Sequence, residues 1–198
     1  MRADLNVIEP WINPGTQVLD LGCGDGTLLA YLQEKKQVLG YGLEIGADAI
    51  TSCLRKGVNV IEQNLDSKGL ANFADQQFDT VIMTQALQAI RRPDVMLDQM
   101  LRLGRQGIVT FPNFGHWRCR HYLLWKGKMP MSKSLPYTWY NTPNIHLCTF
   151  KDFEALCQAK NIRILNRMVV NDQFEQSGFS QMWPNLFAQF AVYRIARF

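Results

Sequence analysis

Residues Val18-Leu19-Asp20-Leu21-Gly22-Cys23-Gly24-Asp25-Gly26-Thr27-Leu28-Leu29 set the terms for the rest of the chain. An apolar β-type run passes straight into a helix, and three glycines at alternate positions make the turn between them. Glycine tolerates the positive φ that such a turn needs, and it leaves no Cβ between backbone and ligand. The helix expected over 27–36 aims its free N–H groups and positive dipole end at whatever sits there. The dinucleotide fingerprint is Gly-x-Gly-x-x-Gly. Here the order is Asp20-x-Gly22-x-Gly24-x-Gly26, one residue tighter, with an acid ahead of the first glycine. A second apolar run, residues 37–44, ends in Glu44, 18 residues past Gly26. That is close to the spacing of roughly 20 at which a carboxylate reaches ribose hydroxyls in such folds. Two signals at matching spacing argue for a ligand pocket rather than a bare glycine turn.

The chain then alternates. A leading helix is expected over 5–12, with Asp4 as its N-cap and Asn13-Pro14-Gly15 as its stop. Further strands are expected at 58–61, 78–83 and 107–111. Between them fall a helix over 47–56, closed by Gly57, and one opening near Pro93, whose Met96, Leu97, Met100 and Leu101 share a face. Such alternation makes a parallel sheet with right-handed crossovers. Ligands of these sheets bind beyond the carboxyl ends of the strands, where the strand order reverses. Gly22, Glu44, Asn64 and Gln85 all fall at those ends. Past Phe111 the alternation stalls in a stretch rich in proline, aromatics and cations. A helix restarts at Thr149, where Thr149-x-x-Asp152 reads as a capping box. Residues 162–170 and 187–195 read as two closing strands, the second largely buried, and 171–185 as a polar loop. The expectation is an α/β fold: a mostly parallel seven-stranded sheet with helices on both faces. It forms a single domain over residues 1–198, with an aromatic and basic insertion at about 112–148 after strand five.

Composition narrows the classes. An apolar content of 47% supplies a core, and 19% charged residues is too few for a disordered chain. No apolar run reaches membrane-spanning length, so no membrane partner is expected. The stretch 1–6 has an early acid and no signal core. Five cysteines, an odd number without a C-x-x-C, fit free thiols in a reducing cytoplasm. The net charge of +4 is uneven: residues 99–151 contain no Asp or Glu but eight Lys or Arg and all three histidines. His116, Cys119, His121, His146 and Cys148 match no standard zinc spacing, so no metal is expected. Cations interleaved with Trp117, Trp125 and Trp139 are a weak nucleic-acid signal, because the total charge is small and aromatics also fill cores. A protein-binding surface, where Trp, Tyr and Arg are favoured anchors, and a lid over the crevice are the leading readings of this segment. They are compatible with one another.

The glycine stretch resembles motif I of the class I S-adenosylmethionine (SAM) methyltransferases. Three more stretches narrow the likeness: Leu87-Gln88-Ala89-Ile90-Arg91-Arg92-Pro93, Phe111-Pro112-Asn113-Phe114-Gly115-His116-Trp117 and Tyr140-Asn141-Thr142-Pro143-Asn144-Ile145-His146-Leu147-Cys148. Together they are similar to the methionine-biosynthesis MetW family of bacteria over nearly the whole chain. The clear departure is Gln63-Asn64, where the family usually shows Gly-Asp. The resemblance implies a class I SAM-methyltransferase Rossmann-like fold and a role in methionine biosynthesis. It also implies association with homoserine O-acyltransferase, the enzyme such proteins are described as supporting.

SAM or S-adenosylhomocysteine would then be the cofactor. Main-chain groups from Gly22 through Cys23 and Gly24 to Gly26 suit the amino-acid end, with Asp20 orienting the turn or reaching the ammonium through water. Glu44, with Ile45 beside it, suits the ribose hydroxyls, since one carboxylate can accept two hydrogen bonds. Asn64 and Leu65 stand at the adenine, with Asp66 as a substitute acceptor or a turn cap. Gln85 stands near the methyl group or caps the helix after strand four. Methyl transfer from a sulfonium needs mainly alignment and desolvation, so the catalytic candidates are weak ones: Gln85, His116 and His146. Pro112-Asn113-Phe114 has the wrong order and place for the Asn-Pro-Pro-aromatic motif of amino-methyltransferases. Three functions compete: a SAM-binding activator of the acyltransferase, a small-molecule methyltransferase, and, least favoured, a nucleic-acid methyltransferase. A homo-oligomer is compatible with each.

Overall fold

The computed structural model describes residues 5–132, 135–171 and 181–198. The expected Asp4 cap, Lys133 and most of the expected 171–185 loop lie outside the described residues.

Seven strands form one sheet: β1 (Gln17–Leu21), β2 (Leu39–Glu44), β3 (Asn59–Glu62), β4 (Phe78–Thr84), β5 (Gly104–Pro112), β6 (Ile162–Val170) and β7 (Phe190–Arg197). Their order is β3-β2-β1-β4-β5-β7-β6. β1 to β5 pair in parallel, and β7 is antiparallel to both β5 and β6. The order reverses between β1 and β4, which puts a crevice at the carboxyl ends of those strands.

The helices are α1 (Leu5–Ile8), α2 (Thr27–Lys36), α3 (Ala47–Arg55), α4 (Pro93–Leu103), α5 (Trp117–Lys126), α6 (Phe150–Ala159) and α7 (Pro184–Phe187). Period-two alternation of the strands divides the core into two layers. Leu19, Leu21, Val81, Met83, Val109 and Phe111 face α4 and α6, meeting Leu97, Met100 and Phe153. Val18, Ile82 and Ile108 face the other way and meet Leu28, Leu29 and Leu32 of α2 and Cys53 of α3. The expected helices on both faces of a seven-stranded sheet are therefore present.

Differences from expectation have local causes. α1 stops at Ile8 and becomes a 3-10 turn over Glu9–Trp11, because Pro10 has no N–H to donate back along a helix. β5 starts at Gly104 rather than 107, since α4 runs into it with no intervening loop and Gly104 is already extended. β7 starts at Phe190 rather than 187, because Pro184 opens the short α7. The capping box at Thr149 and Asp152 is present. α5 was not expected. Its sequence shows no inward apolar stripe, and of its residues only Cys119 is buried.

Candidate functional site

The chain leaves β1 through Gly22 (φ 74°), Gly24 (φ 56°) and Gly26 (φ 75°), all left-handed. The three glycines do different work. A Cβ on Gly26 would come 2.8 Å from Cys53 Sγ of α3, and one on Gly22 would come 3.3 Å from Ala86 Cβ beyond β4. A Cβ on Gly24 meets nothing within 4 Å, so Gly24 is the glycine that opens onto free space.

Lys56, just past α3, clamps the turn. Its Nζ donates to the Asp25 carbonyl (2.8 Å), to Asp25 Oδ2 (2.5 Å) and to Thr27 Oγ1 (2.7 Å). Asp25 also accepts from the Thr27 N–H at 3.1 Å and the Thr27 hydroxyl at 2.7 Å, which ties it to the first residue of α2. The Lys56 and Thr27 hydrogen bonds hold the Asp25 carboxyl down at about 2. Local sequence reading missed this clamp, because its partners lie 31 residues apart.

Glu44 closes the opposite side. Its Oε2 accepts from the Gly24 N–H at 2.8 Å, and its Oε1 accepts from Ile45 (2.8 Å) and Gly46 (3.0 Å). The predicted pair of Gly24 and Glu44 is thus in direct contact. A carboxylate offers about four acceptor positions. With three engaged, a second ribose hydroxyl must displace a backbone N–H. The N–H groups of Gly22 and Cys23 both go to the Leu43 carbonyl, at 2.8 and 3.1 Å. The three N–H donors from Gly22 to Gly24 are therefore committed to protein acceptors. What the turn offers is space at Gly24.

Two predicted residues lie beneath the crevice rather than on its wall. Asp20 is 1% exposed, which fits orienting the turn. Cys23 is equally buried and turns its Sγ to Cys53 Sγ, 3.8 Å away. Burial first, and the Asp20 carboxylate second, push the Cys23 thiol above its ordinary range. Ile45, in contrast, is 60% exposed beside Glu44 and offers an apolar face.

Asn64 Oδ1 accepts from the Asp66 N–H at 2.9 Å, so the expected adenine acceptor is engaged in its own turn. Asp66 does not cap that turn. Its Oδ1 accepts from the Arg91 N–H at 2.9 Å and ties the loop after β3 to the loop after β4. Leu65 leans towards the Gly22 position, its Cδ1 3.9 Å from where a Cβ would stand. Leu65, Asp66, Leu70, Ile90, Arg91 and Met96 line a neighbouring cavity of about 490 Å³ that sequence patterns did not announce.

Gln85 is exposed at the end of β4 in a left-handed conformation (φ 51°). A non-glycine residue held there stores strain of the kind found at functional sites. Its N–H donates to the Thr110 carbonyl and hydroxyl, and its carbonyl accepts from Gln88 Nε2 at 2.7 Å. It caps nothing: Ala86 precedes the 3-10 turn over Leu87–Ala89.

The histidine candidates hold structure together. His116 is 6% exposed and is the N-cap of α5, its Nδ1 accepting from the Arg118 N–H at 3.3 Å. Burial, then the Arg118 cation, lowers its pKa from the usual imidazole value. His146 is exposed; its Nε2 meets the Arg91 carbonyl at 3.3 Å, and its N–H and that of Ile145 both donate to the Gln88 carbonyl at 3.0 Å. The Phe114 N–H donates to the Cys148 carbonyl at 3.0 Å. Residues 145–148 are therefore strapped across the loops after β4 and β5. Asn113 is 2% exposed and pins β5 to the carbonyls of Asn185 and Ala188, a structural use of Pro112-Asn113-Phe114. No metal-binding cluster of His, Cys, Asp and Glu occurs among the described residues, and no helix among them is long and apolar enough to cross a membrane.

Comparison with known proteins gives the architecture a context. The family model for "Methionine biosynthesis protein MetW" matches residues 2–195. The bifunctional methionine biosynthesis protein MetXA/MetW of Rhodopirellula baltica is 34% identical over 173 residues, 83% of this chain and 28% of that protein. The chain spans less than half the length of each curated relative it matches here. Among solved structures, an S-adenosylmethionine dependent methyltransferase from Mesorhizobium loti superposes with a TM-score of 0.68 at 14% identity, covering 98% of both chains. A chain from the complex of the Haloferax volcanii Trm112 methyltransferase activator with a methyltransferase gives 0.69 at 12% identity, covering 98% of this chain and 88% of that one. These likenesses establish the class I methyltransferase fold.

Proposed function

Because this chain belongs to the MetW family of methionine-biosynthesis proteins, we propose that it binds SAM in the crevice of Gly22–Gly26 and Glu44 and acts, in the cytoplasm, with homoserine O-acyltransferase, which it activates. In this reading Glu44 trades backbone hydrogen bonds for the ribose hydroxyls. Ile45 and Leu65 flank the adenine, Asn64 accepts from its amino group with its remaining lone pair, and Gln85 faces the sulfonium end. SAM is an end-product signal of methionine synthesis, and the crevice reads it.

The observation that supports a pocket at the turn is the Gly24–Glu44 contact at 2.8 Å, while the histidine candidates are engaged with the scaffold. His116 is a buried helix cap and His146 fastens a strap, so both rings serve the scaffold. The partner is supported by the Rhodopirellula relative, where a MetW-like part shares one chain with MetXA. The test is acyltransferase turnover with and without this protein, at increasing SAM. The expected result is activation by the protein and a shift of that activation with SAM. Equal turnover in its presence and absence contradicts the proposal. S-adenosylhomocysteine accumulating with cell extract would favour methyl transfer to a small molecule instead.

A further inference from the structure

α5 carries its large apolar side chains outward. Its buried side is only Cys119, while Trp117, His121, Leu124 and Trp125 form a stripe on the opposite side at i, i+4, i+7 and i+8. Leu124 is 80% exposed, Trp125 72% and Trp117 43%. The rings form a ladder along the helix: Trp117 to His121 with centroids 6.4 Å apart, and His121 to Trp125 at 5.6 Å. A stripe at this spacing is the pattern by which a helix fills a groove in another protein. Among the described residues Leu124 and Trp125 stand largely uncovered, and an exposed apolar stripe of this kind favours association.

The flanks define the partner's charge. Arg118 lies over the Trp117 ring, 5.5 Å from its centroid, on one side of the stripe. Arg120 flanks the other side, one guanidinium N–H spent on the Gly115 carbonyl at 2.6 Å. Lys126 and Lys128 are exposed at the helix end. The surrounding sequence, residues 99–151, contributes cations and no carboxylate.

We infer that the outward face of α5 is a docking helix for a protein partner that presents an apolar groove rimmed with carboxylates. Resting on the function proposed above, that partner is the acyltransferase. Trp117, Leu124 and Trp125 fill the groove, and Arg118 and Arg120 meet its rim. Trp and Arg are the residues that most often carry binding energy at such interfaces. A protein groove is favoured over a lipid surface or nucleic acid because the stripe is narrow, broken by an imidazole, and carried on a helix of only ten residues. The Rhodopirellula relative, in addition, carries this module joined to a second protein.

The experiment is a titration of the purified acyltransferase with wild type, Trp125→Ala, Leu124→Asp and Arg118→Glu, alongside urea midpoints to confirm that each variant folds. The expected result is binding weakened about thirty-fold by Trp125→Ala or Leu124→Asp, a shallower salt dependence in Arg118→Glu, and unchanged midpoints. Wild-type binding that all three variants retain overturns this assignment and leaves the proposed function standing. No wild-type binding overturns both. Wild-type binding to phosphatidylglycerol vesicles or duplex RNA that Leu124→Asp abolishes, with acyltransferase binding unchanged, overturns the protein groove.

Discussion

Gly26→Ala isolates the packing of the glycine turn. Gly26 sits at φ 75°, and an added Cβ would stand 2.8 Å from Cys53 Sγ, 3.3 Å from Cys53 Cα and 3.4 Å from Cys53 Cβ. The left-handed backbone alone costs an alanine about 1–2 kcal/mol. Forcing a methyl into a filled space adds about 1–3 kcal/mol. The variant should therefore lose about 2–5 kcal/mol in urea unfolding, read as a fall in midpoint at constant slope. Cys53→Ala removes the 2.8 Å clash and leaves only the looser contacts. In that background the cost of Gly26→Ala should fall towards about 1–2 kcal/mol, the left-handed cost, with the 3.3 Å contact to the Cα of residue 53 still in place. The coupling between the two positions, about 1–3 kcal/mol, falls within the range of neighbouring residues in such cycles. Gly24→Ala is the contrast. Its φ of 56° carries a similar backbone cost, but its Cβ has open space, so it should act chiefly on ligand approach. An identical cost of Gly26→Ala with and without the Cys53 sulfur would refute the steric reasoning.

Two further outcomes follow from the charges. Lys56→Ala should destabilise the protein by under about 1 kcal/mol near neutral pH, since the pair is half exposed. Asp25 has its pKa lowered to about 2 from 3.8, so its contribution is full above the unfolded value and fades as pH falls between these two. Urea midpoints of wild type and Lys56→Ala should converge across that window. His116 has a lowered pKa, so below the ordinary value of about 6.5 the unfolded chain takes up a proton that the folded one resists. Stability should fall as pH drops from about 7 to 5. His116→Asn, a capping residue that does not titrate there, should flatten that part of the profile; an unchanged slope would show that another group is responsible.

The legible parts of the fold were those with local causes. Val18 to Leu29 carries its strand, turn and helix in contiguous residues, and the alternation of apolar runs is enough to lay down five parallel strands. Thr149 and Asp152 announce their helix from three residues apart. Glu44 was placed at the same crevice as the glycine turn because it closes the next strand at the spacing the fold imposes, but its bond to the Gly24 N–H was not foreseen. What was not readable depends on distant partners or on direction. Lys56 reaches the turn only through the packing of α3. Nothing about Gln85 as a residue type signals its left-handed backbone, which follows from the N–H being drawn to Thr110 on β5. α5 escaped because pattern reading expects an apolar stripe to face inward. His116 and His146 were picked by residue type, and only the structure shows what their ring nitrogens touch.

The central claim is that the crevice holds SAM through Glu44. Calorimetric titration of SAM and S-adenosylhomocysteine into wild type and Glu44→Ala tests it most directly. Saturable binding by wild type, weakened at least about tenfold in Glu44→Ala through the loss of the proposed ribose hydrogen bonds, is the result the proposal predicts. Absence of binding by wild type, or equal affinity in the variant, would contradict it.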